Sequence, residues 1–228
     1  MTNPVTEGLK AARAVRERLG LGPTAPADVA WIARRLGAVI VRRPLADGLS
    51  GIHLAHSSGR SFVAINSTDI ASRQNFTLAH ELGHVHFDRE QVIAEKIELG
   101  DVPPIEKRAN AFAAELILPT AAIEEWKRTP HLQTSPDEVA RLATTFRMSY
   151  QATLFRLKSC GIIDDIEPLY GERDTINPTL RKLLNLPGES FELPDDFIRM
   201  ADEALSRSII SRRRHRVLTE AEERESDF

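Results

Sequence analysis

An α+β fold, with a small sheet set among helices and an all-helical second half, is predicted by three features of the sequence. Apolar residues recur at helical spacing over residues 6–19, 26–36, 75–87 and 105–118. Three strand-like runs, 38–42, 49–55 and 61–65, sit together between the second and third of those helices. Beyond residue 135 the chain reads as short helices broken by Pro and Gly.

Each element has local reasons. The first helix turns Leu9, Ala12, Val15 and Leu19 inward and ends at Gly20 and Gly22, and Gly37 stops the second. Residues 56–60, His-Ser-Ser-Gly-Arg, suit a hairpin between the second and third strands. The third helix carries an apolar stripe of Leu78, Leu82 and Val85. The fourth carries one of Ile105, Ala109, Phe112, Ala113 and Leu116; Pro103 and Pro104 introduce it and Pro119 stops it.

The third helix also contains His80-Glu81-Leu82-Gly83-His84. Residues four apart leave a helix on one face, so two imidazoles spaced as H-E-x-x-H can bind one ion. Both lie off the apolar stripe, and Glu81, one step around, can reach a water on that ion without being a ligand. The same letters would describe two surface histidines on an amphipathic helix, so context decides. Gly83 is unfavourable in a helix by about 1 kcal/mol relative to Ala, which suggests that a substrate chain or a packed neighbour passes close to it.

Catalytic zinc commonly has three protein ligands and one open position. A third histidine in the metzincin arrangement would need Gly at 87 and His at 90, and the chain has Phe87 and Glu90. Glu106, beside the buried face of the fourth helix, is the favoured third ligand. Asn110, one turn on, can accept from the distal nitrogen of a ligand histidine and hold its ring. Glu90, Glu95 and Glu98 are the rivals, nearer in sequence but without such a helical frame.

The pair H-E-L-G-H and, from Glu106, E-K-R-A-N-A-F-A-A-E-L-I-L-P resembles the ImmA/IrrE group of bacterial metallopeptidases. The match holds at Glu106, Ala109, Asn110, Phe112, Ala113, Leu116 and Pro119, and the resemblance covers about residues 7–165. It implies a minimal zincin-like core with zinc (Zn2+) held by His80, His84 and Glu106, and Glu81 as general base. It also implies a protein substrate, a helix-turn-helix repressor of the Xre type or an antitoxin, in a stress, mobile-element or toxin-antitoxin setting. In such small zinc peptidases an edge strand beside the metal helix can take an extended peptide by strand addition. Gly51, Ile52 and His53 are the candidates here, although Gly51 would equally suit a bulge. For the oxyanion donor, His53, His56, His86, His131 and Tyr150 stay open.

Past the core, Ser135-Pro136-Asp137-Glu138 is a capping box that starts a helix with Val139, Leu142, Ala143 and Phe146 inward. Met148-Ser149 turns into a second helix with Ala152, Phe155 and Leu157 inward, ended by Gly161. The pair looks like a helix-turn-helix. Tyr150, Gln151, Thr153, Arg156 and Lys158 are read as outward, though such a pair more often closes a core than touches DNA. A helix over residues 195–211 would bury Phe197, Ala201, Ala204, Leu205 and Ile209. The basic run Arg212-Arg213-Arg214-His215-Arg216 reads as a solvated helix end, with an acidic tail over 220–227. The expected organisation is a peptidase core over 1–130, a helix-turn-helix-like pair packed on it over 131–165, and a mostly helical extension with a polar tail over 166–228.

With 228 residues, 42% of them hydrophobic, the chain can bury a sizeable core. A net charge of −3 gives no drive towards nonspecific nucleic-acid binding. Cys160 is the only cysteine, so no internal disulfide forms and a cytoplasmic setting is expected. No apolar run approaches a membrane span, and no membrane partner is expected. Besides a zinc endopeptidase, two other classes fit these residues: a module that holds its partner without cutting it, and a DNA-binding regulator working through 137–158 and the Arg212 run.

Overall fold

The computed structural model describes residues 3–55, 61–87, 93–96, 102–129, 134–191 and 193–219. Two helices, α1 (Pro4–Arg18) and α2 (Val29–Arg35), precede the strands β1 (Ala38–Arg43), β2 (Leu49–Ala55) and β3 (Ser61–Asn66). The long helix α3 (Ala71–Phe87) follows, then β4 (Ile93–Lys96), α4 (Pro104–Ile117) and α5 (Thr120–Lys127). The helical half comprises α6 (Pro136–Thr145), α7 (Tyr150–Ser159), α8 (Glu167–Gly171), a 3-10 turn at Arg173–Thr175, α9 (Pro178–Leu184), α10 (Asp195–Ser206) and α11 (Arg212–Thr219). This is the expected α+β class: a small mixed sheet and the helix of the paired histidines, followed by helices.

Local chemistry sets several starts. Asn3 caps α1 by accepting from the Val5 amide at 2.9 Å, and Asp28 caps α2 by accepting from Trp31 at 2.9 Å, which places that start beyond residue 26. The Ser135 and Ser149 hydroxyls cap α6 and α7 in the same way, at 3.3 and 3.1 Å.

The three expected strands form, and β4 extends the sheet to the order β1-β3-β2-β4 among the described residues. β1 runs parallel to β3, while β2 is antiparallel to both β3 and β4. Strand β2 is therefore interior. Its outer side is taken by β4, with Ile52 opposite Ala94 and His53 opposite Ile93, so strand addition onto the Gly51-Ile52-His53 edge does not survive. The short run 93–96 lacks the length and alternation that would have announced a strand.

Helix α3 lies across the sheet and against α4, and α4 packs along α1. Phe112, Leu116 and Ile117 of α4 and Leu82 of α3 are fully buried in one core with Val63 and Ile65 of β3. Burial of each such side chain stabilises by about 1.5–3 kcal/mol relative to exposure. One polar cluster ties the helical half to this core. Glu115 of α4 accepts from Arg13 of α1 at 2.8 Å and from the Thr120 hydroxyl at 2.7 Å, and pairs with Arg156 of α7.

That cluster corrects the reading of α7. Arg156, Tyr150 and Thr153 are buried, not outward, and Phe155 is 53% exposed, not inward. The apolar stripe runs through Tyr150, Leu154 and Leu157, spaced i, i+4, i+7, and Arg156 joins it because Glu115 and the Leu118 carbonyl wait beneath. The C-terminal helix also differs: α10 ends at Ser206, a positive φ of 58° at Ser208 breaks the chain, and Ile209 is exposed. The basic run forms the separate helix α11, in which His215 pairs with Asp202 at 2.7 Å. No helix among the described residues is long and apolar enough to cross a membrane.

Candidate metal centre

Two close backbone approaches build the site. A Cβ on Gly83 would stand 3.1 Å from the Ala109 Cα, so α3 and α4 cross there almost in backbone contact. The packed neighbour suggested by Gly83 is α4. Glu106 and Asn110 flank Ala109 on α4, and the crossing presents both to the histidines. On the other side, Gly51 of β2 faces α3, where a Cβ would fall 2.5 Å from Thr77 Cγ2 and 3.0 Å from Glu81 Oε1. Strand period two brings His53 to the same face as Gly51, opposite Thr77, Glu81 and His84, which share one face of α3.

The three side chains singled out as ligands come together. His80 Nε2 lies 3.0 Å from Glu106 Oε2, His84 Nε2 lies 3.4 Å from Glu106 Oε1, and the two Nε2 atoms are 2.9 Å apart. Among the described residues this is a His/His/Glu group whose ligand atoms all fall within 4.8 Å of one another. His80 and His84 are buried, while the Glu106 side chain keeps 19% exposure and marks the open side. Hydrogen bonds from His80 and His84 hold the Glu106 carboxyl far below the usual carboxylate range, against the opposing effect of its partial burial.

The donor set fits a zinc-type cation. Asn110 Oδ1 lies 2.9 Å from His80 Nδ1 and can only accept, so in the neutral ring Nδ1 carries the proton and the Nε2 lone pair faces the Glu106 carboxylate. Two such lone pairs 3.0 Å apart repel unless a proton, as in the hydrogen bond that lowers the Glu106 carboxyl, or a metal cation lies between them. Two imidazoles and a carboxylate with one side open is the composition of a catalytic zinc site. Glu81 is fully buried beside them, and neither of its carboxylate oxygens has a hydrogen-bond partner among the described residues.

A model of peptidase family M78, described as the IrrE N-terminal-like domain, matches residues 33–158, more than half of the chain. The chain belongs to this family. M78 membership makes it a metallopeptidase-like protein and implies a metal, and the ImmA/IrrE resemblance carried by the two motif helices agrees with it. No curated protein matches the chain. The M78 match runs from within α2 to within α7, so the family unit takes in both motif helices and the Arg156 anchor.

The other expected site residues separate. Of the oxyanion candidates, His53 reaches the centre, with its Nδ1 3.6 Å from Glu81 Oε2 and its ring parallel to that of His84, centroids 5.6 Å apart. His86 instead stacks on Phe112 at 5.9 Å and lines a hollow with Arg18, Trp31 and Arg35. Tyr150 donates its hydroxyl to the Leu169 carbonyl at 3.0 Å. His56, His131, Glu90, Glu98 and the side chain of Glu95 lie outside the described residues. Ile52 points to the opposite face of β2 from Gly51 and His53. A cavity of about 600 Å3 lined by Arg42, Gln74, Asn75, Met148 and Leu184 contains none of the metal-site residues.

The buried contact of His53 with Glu81 joins a strand to a helix further along the chain and is only weakly marked in the sequence. The one available signal was the parity it shares with Gly51.

Proposed function

We propose that the chain is a zinc-dependent endopeptidase whose substrate is a protein, namely a helix-turn-helix (Xre-type) transcriptional repressor or an antitoxin. The observation that carries the peptidase reading is the convergence of His80, His84 and Glu106 around one point with the buried Glu81 carboxylate beside it. The repressor is supported by the family resemblance, which points to a narrow protein target, and the lone Cys160 suits a reducing cytoplasmic setting.

His80, His84 and Glu106 would hold the ion. Asn110 fixes the His80 ring by accepting from Nδ1. When bound, zinc supplies a Lewis acid that acidifies a water and polarises a peptide carbonyl. The Glu81 carboxylate takes a proton from the attacking water and returns it to the amide nitrogen as the C–N bond breaks. The water oxygen ends in the new carboxyl group, and the proton leaves on the new amine. Burial of Glu81 shields this transfer from bulk solvent.

The test is incubation of the zinc-loaded chain with a helix-turn-helix repressor encoded beside it, followed by mass spectrometry of the products. A single discrete cleavage, lost in Glu81→Gln while one zinc per chain is kept, is expected. An intact repressor, bound by the wild type without being cut, would favour the non-cleaving module instead.

A further inference from the structure

His53 is fully buried in β2. Neither of its ring nitrogens makes a hydrogen bond among the described residues, and the same holds for both oxygens of Glu81. An unpaired buried imidazole and an unpaired buried carboxylate are each costly, and both are rare in folded proteins. Here they are neighbours. Nδ1 of His53 stands 3.6 Å from Oε2 of Glu81, a few tenths of an ångström beyond hydrogen-bond reach.

The surroundings leave few other roles for this ring. It lies parallel to His84, within 8°, with the centroids 5.6 Å apart. Imidazole lone pairs lie in the ring plane, so a parallel ring directs its nitrogens alongside His84 and not at the point that His84 Nε2 faces. That geometry argues against a fourth ligand. On the same strand face Gly51 presses against Thr77 and the other Glu81 oxygen. β2 thus meets the carboxylate at both ends, with bare backbone near Oε1 and an imidazole nitrogen near Oε2.

We infer that His53 is a positioning residue for Glu81: its Nδ1–H closes the remaining few tenths of an ångström onto Oε2 of the carboxylate and holds it, while its ring face braces the imidazole of His84. This rests on the reading of Glu81 as the general base. The restraint keeps the carboxylate in one rotamer and leaves its remaining lone pairs free for proton transfer. The interior place of β2, paired to β3 and β4, makes the strand a stiff platform for that restraint.

Two experiments test it on the zinc-loaded 228-residue chain. In the first, His53→Leu should keep one zinc per chain and leave KM for the repressor unchanged while kcat falls on the order of 10- to 100-fold. His53→Asn, whose amide can still donate, should recover part of the loss. A raised KM with unchanged kcat, loss of zinc in both variants, or no recovery by asparagine would overturn the inference.

The second needs no turnover, which separates it from the peptidase reading. Histidine-selective 15N NMR should show His53 as the Nδ1–H tautomer in the wild type, with its Nδ1 signal moving in Glu81→Gln. If no substrate is cleaved but that signal moves, the contact stands and the peptidase reading fails. If cleavage is observed but the His53 resonances ignore the change at Glu81, the positioning role is wrong and the peptidase reading survives.

Discussion

Gly83 of α3 and Ala109 of α4 meet almost backbone to backbone: a Cβ on Gly83 would come to 3.1 Å from the Ala109 Cα and 3.3 Å from its Cβ. The contact lies one residue before His84 and three after Glu106, so the crossing distance sets how closely the carboxylate approaches the imidazoles. Gly83→Ala should be nearly neutral, because a gain of about 1 kcal/mol in helix propensity offsets a shift of a few tenths of an ångström. Gly83→Val should cost about 1–3 kcal/mol by overpacking and weaken zinc binding as Glu106 is pushed away. Thermal unfolding and chelator competition measure the two effects. Wild-type zinc affinity in the valine variant would show that the crossing does not place Glu106.

On the proposed zinc reading, Asn110 would act on the ion through His80. Its Oδ1, 2.9 Å from Nδ1, selects the tautomer that leaves Nε2 free to ligate. Asn110→Leu removes that acceptor, and zinc affinity should fall about 10- to 100-fold with little change in secondary structure. Asn110→Asp keeps an acceptor and should bind zinc at least as tightly as the wild type. Competition with a chromophoric chelator reads both variants, and an unaffected leucine variant would be evidence against the orienting role.

Much of this was legible in the sequence because it follows from periodicity. His80, His84 and the stripe Leu78, Leu82, Val85 obey helical spacing, and Glu106 and Asn110 lie one turn apart beside an equally clear stripe. What escaped depended on partners distant in sequence. The burial of Arg156 is set by Glu115, 41 positions away, and a cation on a short helix otherwise reads as solvated. The inward placement of His53 depends on Gly51 of β2 and Glu81 of α3 meeting where the helix lies on the sheet. β4 is four residues long and gains its identity only from pairing with β2.

Glu115 joins α1, α4 and α7, which gives the fold a predictable weakness in acid. Burial pushes its carboxyl upward, but hydrogen bonds from Arg13 and Thr120 and the charges of Arg156 and Arg13 outweigh it and hold the carboxyl below its ordinary value of 4.5. A carboxyl depressed in the folded state contributes stability that is fully present above pH 4.5 and is lost as pH falls through the lower, folded value. The wild type should therefore lose stability steeply below about pH 4.5. Glu115→Gln should flatten that dependence and cost about 3–5 kcal/mol at neutral pH, since it leaves the buried Arg156 unpaired. Urea unfolding at pH 7 and at pH 4 checks both statements, and an unchanged acid slope in the variant would assign the sensitivity to another group.

Residues 186–189 lie along the start of α3 like a short added strand. Ala71 donates to the Leu186 carbonyl at 3.0 Å, Ile70 bridges Pro187, and the Gln74 amide donates to Glu189 O at 3.0 Å and accepts from Glu189 N at 2.9 Å. Gly188 lies so close beneath this amide that a Cβ there would overlap both the Asp69 carbonyl and the Gln74 side chain. Gly188→Ala should therefore lift the segment without disturbing the histidines, which lie at least six residues further along α3. Losing two of these hydrogen bonds, at about 0.5–1.5 kcal/mol each, corresponds to amide exchange at Ala71 and Glu189 faster by roughly tenfold or more. Hydrogen exchange read by NMR or mass spectrometry should show that acceleration at unchanged zinc affinity. Unchanged exchange would mean that the segment accommodates a side chain at 188, and a parallel loss of zinc would mean that the start of α3 and the metal centre are mechanically coupled.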